Sequence, residues 1–478
     1  KLMIPLFSSS ATAVLTHFTG DAGLQDDGSG NLVDRSRSFT FTRYLTVGEG
    51  DIASALRPVF ELRKTPHGEL GGVVTQRESG TPLSKVEVFV LEYIQDKDGN
   101  DFESFQEYRK AAQEQLRSSG FVTALESDTG IDMSPDGSFA GPVEVGTYYV
   151  FAHSPTLGNS QMEKVEITDG GFARVNLSLV PPARIEYRVS DNSGLMIPAR
   201  LTFMPVELDT GDPLDYWTSF NEPELGDSRY DHGIGLTEHS LNGEGTVTVP
   251  AGRYNIYVSH GFEYEVKIIR NYEVSSGEKK ALSVQINREV DTTGYVAADL
   301  HLHTIFSSDS SLPVDMRLKA IMTEGVEYVT ANDHDVVINY EPYLADMGLE
   351  GYIKTVPSAE TSPLEWGHFN LWPMKWDGRD IPLHDPVPWQ AGESMEEIWD
   401  AMFSRADGPA DATIMQLNHP RDGTMGYFNQ IGFKAHSLQR KNGAMMMCSK
   451  AVEDAPCNFH LFEIFNGQKL HYLHPPTI

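Results

Sequence analysis

Two stretches of this chain carry the same order of a glycine turn, a short strand and a second strand that contains glycine and tyrosine. The first has DGSF at 136–139 and VGTYYV at 145–150, and the second has GEGTV at 243–247 and PAGRYNIYV at 250–258. Short strands bounded by turn residues are typical of Ig-like sandwiches. Similarity within one chain indicates related units. We therefore predict two β-sandwiches in succession.

The sequence divides into four parts, which are a β-rich N-terminal segment at 1–64, a first sandwich at 65–180, a second sandwich at 181–290 and a mixed region at 291–478. A helical insertion is expected at 103–116, which is rich in helix-forming residues. The sandwiches carry no evident chemistry. They are expected to act as spacers or platforms, with binding of a substrate or a surface as the alternative.

Composition limits the partners. The 478 residues are 40% hydrophobic, which is enough for several cores, and the net charge of −31 argues against nucleic acid because its phosphates would be repelled. No apolar run approaches the length of a membrane span. The oligomeric state stays open. An exported or periplasmic location is expected, with an N-terminal segment removed before Lys1 and a C-terminus that is incomplete. Cys448 and Cys457 permit one disulfide but do not fix the compartment.

The motif DLHLHT at 299–304 is the strongest chemical signal. Residues two apart in a strand point the same way, so His301 and His303 can aim at one point while Leu300 and Leu302 pack on the other side. The run YVAA at 295–298 is interpreted as the buried part of that strand. Two converging imidazoles with carboxylates nearby predict a site for a divalent metal such as zinc, manganese or iron.

Strand-like and helix-like stretches alternate through this last region. After the strand near Val296, the pattern predicts a helix at 314–324, strands at 326–331 and 354–357, a helix at 393–403, and strands at 413–417 and 462–465. Alternation of this kind predicts parallel strands, as in a β/α barrel or an open sheet.

Further candidate ligands follow the ends of these strands. They are Asp309 in a serine-rich loop, His334 in the motif DHD at 333–335, Glu360, His368 and His419. In β/α barrels the loops after the strands build the active site, so this repeated placement strengthens each assignment. Asp309 has an alternative role as a cap for the helix that follows it. Three other histidines, His384, His436 and His460, are expected to be surface or core residues.

This pattern resembles the PHP superfamily over roughly 293–470. The motifs GHFNLWP at 367–373, NHP at 418–420 and EIFNG at 463–467 are similar to its CehA/McbA branch. RYLTVGEGD at 43–51 and the sandwiches, which resemble carboxypeptidase-regulatory-like modules, are similar to the N-terminal regions of such proteins. The implied fold is multi-domain, with Ig-like sandwiches before a distorted β/α barrel, either complete or lacking its C-terminal part.

The resemblance implies a centre of two or three divalent metals. Its ligands would be His301, His303, Asp309, His334, Glu360, His368 and His419. Glu360 would bridge two ions, because a carboxylate has two oxygens. The family's last Asp-x-His pair is not visible, so either that part of the barrel is missing or His471 or His474 substitutes.

Other residues are expected to support these ligands or the reaction. Outside the ligands we predict Asp299, Asp333, Glu463 and Asn466, with Asp333 or Asp335 orienting His334. Asp335 is a candidate general acid, and Arg421 either holds an anionic substrate group or forms a surface ion pair. Trp366, Trp372 and Tyr427 line a pocket or belong to the core.

The expected function is hydrolysis of a small molecule by metal-activated water, with a phosphoester as the first substrate class. The alternative within the same enzyme class is a carbamate, ester or amide, as the branch resemblance implies. An alternative of another class is a non-catalytic binding protein with a degenerate, metal-holding barrel. A serine or cysteine nucleophile is not expected, because the chain has no Gly-x-Ser-x-Gly motif and neither cysteine lies in a catalytic pattern.

Overall fold

A computed structural model gives the fold. The residues it describes are 46–116, 120–128, 136–154, 156–206, 236–363, 366–378, 383–384, 387, 393–423, 425–434 and 459–464, with the backbone of 15–21, 25–26, 32–33 and 38–44. Among the predicted positions, Cys448, Cys457, His436, Asn466, His471 and His474 lie outside this set. Within the described part of the chain, every helix is too short or too polar to cross a lipid bilayer.

The N-terminal part contains four strands and a helix. The strands are β1 (Leu15–Asp21), β2 (Gln25–Asp26), β3 (Leu32–Val33) and β4 (Ser38–Tyr44), and the helix is α1 (Ile52–Arg63). Strand β1 pairs with β4 in antiparallel fashion. The sequence did not predict α1. The side chain of Asp51 caps it by accepting the N–H of Ser54, and Ala53 on its inner face is buried in the core of the first sandwich.

The first sandwich has two sheets and a helix. Its elements are β5 (His67–Gln76), β6 (Glu87–Glu92), α2 (Phe105–Gln115), β7 (Phe121–Glu126), β8 (Ser138–Glu144), β9 (Gly146–Ser154), β10 (Gly158–Asn159), β11 (Glu163–Ile167), β12 (Phe172–Arg174) and β13 (Leu177–Leu179). One sheet contains β6, β7, β9, β10 and β11, and the other contains β5, β8, β12 and β13. Residues that alternate along these strands, such as Val88, Leu125 and Phe139, form the core between the sheets. The predicted helical insertion is confirmed as α2.

The second sandwich is built in the same way. Its strands are β14 (Ala183–Ser190), β15 (Ala199–Pro205), β16 (Leu236–Ser240), β17 (Glu244–Val249), β18 (Gly252–Ser259), β19 (Lys267–Val274) and β20 (Lys279–Gln285). They form the sheets β17-β14-β20 and β16-β15-β18-β19. Burial alternates strictly along β14, as expected for a strand with one face on a core.

Strand pairing supports the internal repeat. In the first sandwich β5 lies between antiparallel β8 and parallel β13, and in the second β14 lies between antiparallel β17 and parallel β20. After β8 and after β17 the chain crosses to the opposite sheet, where β9 pairs with β6 and β18 pairs with β15. The prediction of β-sandwich structure is confirmed, and the two copies share one topology.

The last region contains short strands and four helices among its described residues. The elements are β21 (Ala298–Asp299), α3 (Val314–Thr323), β22 (Tyr328–Ala331), β23 (Val336–Val337), α4 (Glu341–Met347), β24 (Lys354–Pro357), β25 (Ala359–Thr361), β26 (Phe369–Trp372), β27 (Leu383–His384), α5 (Met395–Ser404), β28 (Ile414–Leu417), α6 (Tyr427–Gln430) and β29 (Leu461–Phe462), with a 3-10 turn at Ala410–Ala412. The helices predicted at 314–324 and 393–403 are confirmed as α3 and α5.

The expectation that these strands are all parallel is wrong. Strands β21, β22 and β24 are parallel, but β26 is antiparallel to both β25 and β28. The connection 362–368 between β25 and β26 is short, and a short connection returns the chain antiparallel because a parallel crossover needs a dozen or more residues. The chain passes from the sheet β21-β22-β24 to the sheet β25-β26-β28-β29 within the segment 354–361, where β25 follows β24. The described strands do not form one closed hydrogen-bonded ring, so the barrel stays a prediction.

The interpretation of YVAA as a buried strand is also wrong. Tyr295 and Val296 are 81% and 66% exposed. The strand is limited to β21, which pairs with β22 at two positions. Residues 295–297, which precede it, are not part of the strand. His301 and His303 follow β21 in irregular backbone, and Leu302 between them is buried.

The second sandwich packs against the end of α3. His239 Nδ1 lies 2.7 Å from Thr323 Oγ1, and His260 Nδ1 lies 3.0 Å from the carbonyl oxygen of Thr323. Gly261 has a φ of +68°, and a Cβ there would lie 1.9 Å from the carbonyl oxygen of Glu324. Close backbone contact therefore joins the sandwich to the region that carries the histidines.

Candidate metal centre

Five imidazoles form a closed ring around one carboxylate. The centroids of neighbouring rings are 5.0 Å apart for His301–His303, 4.7 Å for His303–His334, 5.1 Å for His334–His368, 5.0 Å for His368–His419 and 5.6 Å for His419–His301. The carboxylate in the middle belongs to Glu360, whose side chain is fully buried. The structure thus brings together six of the seven predicted ligands in one cluster, and the seventh, Asp309, lies at its rim.

Strand ends place these side chains. Two histidines follow β21, His334 follows β22, His419 follows β28, and His368 directly precedes β26. Glu360 lies in the middle of β25. Backbone hydrogen bonds from Glu360 N to Asp333 O (3.1 Å) and from Asp335 N to Glu360 O (2.8 Å) fix His334 opposite the carboxylate.

The two oxygens of Glu360 face different histidines. Oε2 lies 3.2 Å from His303 Nε2 and 3.1 Å from His334 Nδ1. Oε1 lies 3.3 Å from His301 Nε2, 3.2 Å from His368 Nδ1 and 3.5 Å from His419 Nε2. The carboxylate therefore divides the ring into a pair and a trio of imidazoles.

Asp309 extends the pair at the solvent side. Its oxygens lie 3.5 Å from His303 Nδ1 and 3.4 Å from His334 Nε2, and one accepts a hydrogen bond of 2.8 Å from Ser307 Oγ. Its side chain is 57% exposed. The alternative role as a helix cap is not seen, because α3 begins after Pro313 and has no side-chain cap.

The other predicted carboxylates contact the ring from outside. Glu463 Oε2 accepts the backbone N–H of His419 at 2.7 Å and lies 3.3 Å from His301 Nδ1. Asp299 accepts the backbone N–H of His301 at 3.1 Å. Glu463 therefore contacts the imidazole of His301 at the nitrogen away from Glu360, as outer carboxylates that orient histidine ligands do, whereas the other two bonds hold the backbone of His419 and His301.

The acidic side chains on either side of His334, Asp333 and Asp335, form hydrogen bonds with Thr304 and Ser362. Asp333 is buried and accepts the N–H and the hydroxyl of Thr304 at 2.6 and 2.8 Å. Asp335, which has a φ of 52°, accepts the N–H of Ser362 at 3.1 Å. His334 Nδ1 itself lies 2.6 Å from the hydroxyl of Ser362. Asp335 is thus next to the partner of His334, and its role as general acid stays a prediction.

Three side chains in the cluster were missed from the sequence. Ser307 and Ser362 contact His303 and His334, and Asn418 donates a hydrogen bond of 2.7 Å to Glu360 Oε1. Asn418 stands in the NHP motif beside His419, which was the available signal. The two serines could not be predicted from the sequence, because serine is common and these contacts with histidines depend on how the chain folds.

Aromatic residues on the outer side form a core rather than a pocket. Tyr427 is buried in one cluster with Phe369 and Trp399, and Trp372 is also buried. Trp366 is partly buried, and its indole N–H donates to Glu393 O at 2.9 Å. His460 Nδ1 accepts the N–H of Met415 at 3.0 Å, which is a structural contact, and the backbone of His384 lies in β27.

Both arginines next to the cluster are bound to backbone carbonyls. Arg317 Nε donates to His303 O at 2.9 Å, and Arg421 donates to Phe433 O at 2.9 Å. The guanidinium of Arg421 also lies 5.4 Å from the ring centroids of Phe428 and Phe433. The role of Arg421 in holding an anion stays a prediction.

The electrostatics of the cluster are dominated by Glu360. Burial would raise the pKa of this carboxyl, but the surrounding imidazoles, His301 foremost, hold it well below its usual range. Burial opposes protonation of His301, yet Glu360 and Glu463 outweigh it and raise its pKa to about 10. Burial lowers the pKa of His303 to about 4, against the charge of Glu360. The negative charge of Glu360 is therefore balanced by positive charge on the imidazoles of the ring, chiefly on His301.

A divalent cation fits the donor set. Three overlapping groups, His301–His303–Glu360, His303–Asp309–His334 and His334–Glu360–His368, each bring ligand atoms within 4.8 Å of one another. His301 Nε2 and His303 Nε2 are 3.0 Å apart, close to the ~3–3.5 Å between two nitrogens that each bind one ion at ~2.1 Å. Glu360 Oε2, His368 Nδ1 and His419 Nδ1 are buried without a hydrogen-bond partner, as expected of atoms that await a ligand.

Comparison with known proteins adds no function. No family model matches the chain, and no curated protein matches its sequence. Similar solved structures include the Bacillus anthracis TIE protein (13% identity, TM-score 0.17, 60% of this chain and 44% of that one). They also include the minor pilin GBS52 of Streptococcus agalactiae (9%, 0.26, 47% and 97%) and the shaft pilin SpaA of Lactobacillus rhamnosus GG (7%, 0.22, 48% and 99%). The chain covers less than half of the first, and at these TM-scores none carries a functional inference.

Proposed function

We propose that this protein is a metal-dependent hydrolase whose centre is the ring of five imidazoles around Glu360. The observation that carries the proposal is a fully buried carboxylate that contacts five histidines and keeps one oxygen without a hydrogen-bond partner. Burying a charge costs several kcal/mol unless it is compensated. A cation between Glu360 and the imidazoles would compensate it and would satisfy the orphaned atoms.

The barrel and the PHP-type family are part of the same proposal. Leu300 O, just before His301, accepts hydrogen bonds from Asn370 Nδ2 (2.9 Å) and Gln416 Nε2 (3.2 Å), which lie in the other sheet. Glu463, which follows β29, contacts His301 after β21. These contacts bring the two ends of the sheet pair towards each other, which supports a distorted barrel arrangement.

The residues have separable roles in this proposal. Glu360 would be shared between ions, which the groups His301–His303–Glu360, His303–Asp309–His334 and His334–Glu360–His368 would hold, with His419 beside them. When bound, zinc, manganese or iron supplies a nucleophilic hydroxide near neutral pH and polarises the bond to be broken. Glu463 holds the orientation of His301 and His419, and Ser362 holds that of His334. Asp335 is the carboxylate that we assign to proton transfer to the leaving group.

Substrate class divides the proposal in two. A phosphoester was the first expectation. Arg317 and Arg421 each donate to a backbone carbonyl, so the described contacts do not turn either guanidinium towards the ring, and Asp309 and Glu463 add negative charge beside it. This observation favours an uncharged carbamate, ester or amide. Side-by-side rates on p-nitrophenyl phosphate, p-nitrophenyl acetate and an aryl carbamate would decide between them.

Metal content tests the centre itself. Elemental analysis of the purified protein should find two or three transition-metal ions per chain, and the double variant His301→Ala/His303→Ala should lose them. His153→Ala in the first sandwich, where the imidazole bonds Asn159, is the matched control and should keep them. Wild-type protein without metal after reconstitution with zinc, manganese and iron would contradict the proposal.

Turnover separates the hydrolase from the remaining alternative. Stoichiometric metal with no hydrolysis of any of the three substrates would favour a non-catalytic binding protein that keeps metal for stability. Hydrolysis that disappears with a chelator and returns with metal would support the hydrolase.

A further inference from the structure

The side-chain amide of Asn418 donates a hydrogen bond to the carboxylate at the centre of the ring. Its Nδ2 lies 2.7 Å from Glu360 Oε1, and both side chains are fully buried. A hydrogen bond to an ionised acceptor is roughly twice as strong as one between neutral groups. This contact therefore distinguishes Oε1 from Oε2, which has no such donor.

The amide of Asn418 is itself held in one orientation. Its Oδ1 accepts a hydrogen bond of 3.0 Å from Gln416 Nε2, and its Nδ2 also donates to Asn370 Oδ1 at 2.8 Å. A flipped amide would point its oxygen at two other oxygens and lose all three bonds. The two hydrogens of Nδ2 therefore stay directed at Glu360 and Asn370.

The same amides hold the chain next to a ring histidine. Gln416 and Asn370 both donate to Leu300 O, one residue before His301. Gln416 is 5% exposed and Asn370 is fully buried, so water does not compete for these bonds. One buried network thus sets both the carboxylate and the start of the His301–His303 segment.

We propose that Asn418 is a positioning residue that fixes the plane of the Glu360 carboxylate, supported by Gln416 and Asn370. A carboxylate turned out of this plane would move one oxygen away from the trio and the other away from the pair. With Asn418 on Oε1, Oε2 keeps its lone pairs for a ligand between His303 and His334. This inference rests on the proposed metal centre.

Binding of Mn²⁺ tests the inference without measuring activity. Mn²⁺ would be titrated into metal-free full-length protein, with free and bound ion followed by electron paramagnetic resonance. Asn418→Leu keeps the volume and removes the donor. Residues that orient a ligand typically contribute 10–100-fold to metal affinity, so we expect Mn²⁺ to bind about 10–100-fold more weakly. The spectrum of bound Mn²⁺ should also change, because the ligand arrangement changes.

Two further variants complete the test. Gln416→Met leaves Glu360 and Asn418 in place but removes the donor to Asn418 Oδ1 and to Leu300 O, and it should weaken binding several-fold with a spectral change. Asn339→Leu removes another buried amide, one that bonds Glu341 at the start of α4, and should leave affinity and spectrum unchanged. If Asn418 only stabilised the fold, Asn339→Leu and Asn418→Leu would have the same effect on Mn²⁺ affinity and on the spectrum of bound Mn²⁺.

The outcomes separate the inference from the function on which it rests. Folded Asn418→Leu protein with wild-type affinity and spectrum would overturn the inference while leaving the metal centre intact. If Asn418→Leu does not fold, the same result for Gln416→Met would overturn it. Wild-type protein that binds neither Mn²⁺ nor Zn²⁺ would overturn the proposed function instead.

Discussion

The imidazole Nδ1 of His239, in the second sandwich, lies 2.7 Å from the hydroxyl oxygen of Thr323, in the last turn of α3. That hydroxyl donates to Ala320 O at 3.0 Å, so it accepts from His239, whose Nδ1 carries a proton. A neutral imidazole meets this geometry in full. A second proton would add a buried charge beside Arg200 and Lys319.

Acid should weaken the protein through His239. Burial, with the charges of Arg200 and Lys319, lowers its pKa from 6.5 to about 4. Below pH 6.5 the unfolded chain binds a proton that the folded protein does not bind until about pH 4. Stability from this group is therefore complete above pH 6.5 and is lost as pH falls towards 4, by about 2 kcal/mol at pH 5.

Melting temperatures at pH 7.5 and pH 5 measure this effect. The drop should be smaller for His239→Gln than for wild type. His153→Gln in the first sandwich should show the wild-type drop. An equal drop in His239→Gln would mean that other groups carry the acid sensitivity.

Gly261→Ala should destabilise the contact between the second sandwich and α3. The added Cβ would lie 1.9 Å from Glu324 O, and φ is +68°. We expect a loss of about 2–4 kcal/mol in the free energy of unfolding, of which about 1 is the backbone conformation. Denaturant titration gives the loss.

Gly194→Ala is the matched control for that change. Gly194 belongs to the same sandwich and has a φ of +85°, but a Cβ there meets nothing within 4 Å. Gly194→Ala should lose only the free energy that the unfavourable backbone conformation costs. The difference in the free energy of unfolding between the two variants therefore measures the contact with α3. Equal losses would show that this contact is not tight in solution.

Metal binding should release protons. With its pKa raised to about 10, His301 is protonated at pH 8 in the metal-free protein, whereas His303, with a pKa lowered to about 4, is already neutral. An imidazole binds metal only when it is neutral, so Mn²⁺ binding should release about one proton from His301 and tighten as pH rises.

Calorimetry in two buffers of different ionisation enthalpy counts these protons. Equal heats in the two buffers at pH 8 would mean that His301 is not protonated or does not bind the ion.

Asp309→Asn should affect one side of the ring. Asp309 contacts His303 and His334 and not the trio at Glu360 Oε1, and its side chain is half exposed. We expect about tenfold weaker binding of one ion, with the others retained. Elemental analysis after dialysis against dilute Zn²⁺ would show it. Asp315→Asn, an exposed acid in the first turn of α3, should keep the full complement.

Local pattern predicted much of the fold. The repeated order of glycine turns and short strands identified the sandwiches, and helix-like stretches identified α3 and α5. Helix α1 was missed because Pro58 lies inside it and its buried residues are only Ala53 and Phe60, so neither propensity nor periodicity favoured a helix. The exposed run at 295–298 was misplaced because an apolar sequence does not say which neighbour covers it.

The ligands were predictable because they stand in recognisable motifs, although only some follow a strand: Glu360 lies inside β25 and His368 precedes β26. Their arrangement was not, since it depends on contacts between residues far apart, such as His301 with Glu463 and Glu360 with Asn418. A closed ring of imidazoles is a property of four strand ends together, and no single stretch of sequence contains it.

The close packing of Gly261 on Glu324 has a practical side for anyone who divides this chain. A fragment that starts at residue 291 would keep Glu360 and all five ring histidines. It would lose His239, His260 and Leu241, and with them the partners of Thr323 and part of the apolar cover over the core beneath α3. If such a fragment failed to bind metal, the cause would be the loss of these contacts with the second sandwich. The smallest fragment worth expressing therefore begins before Ala183.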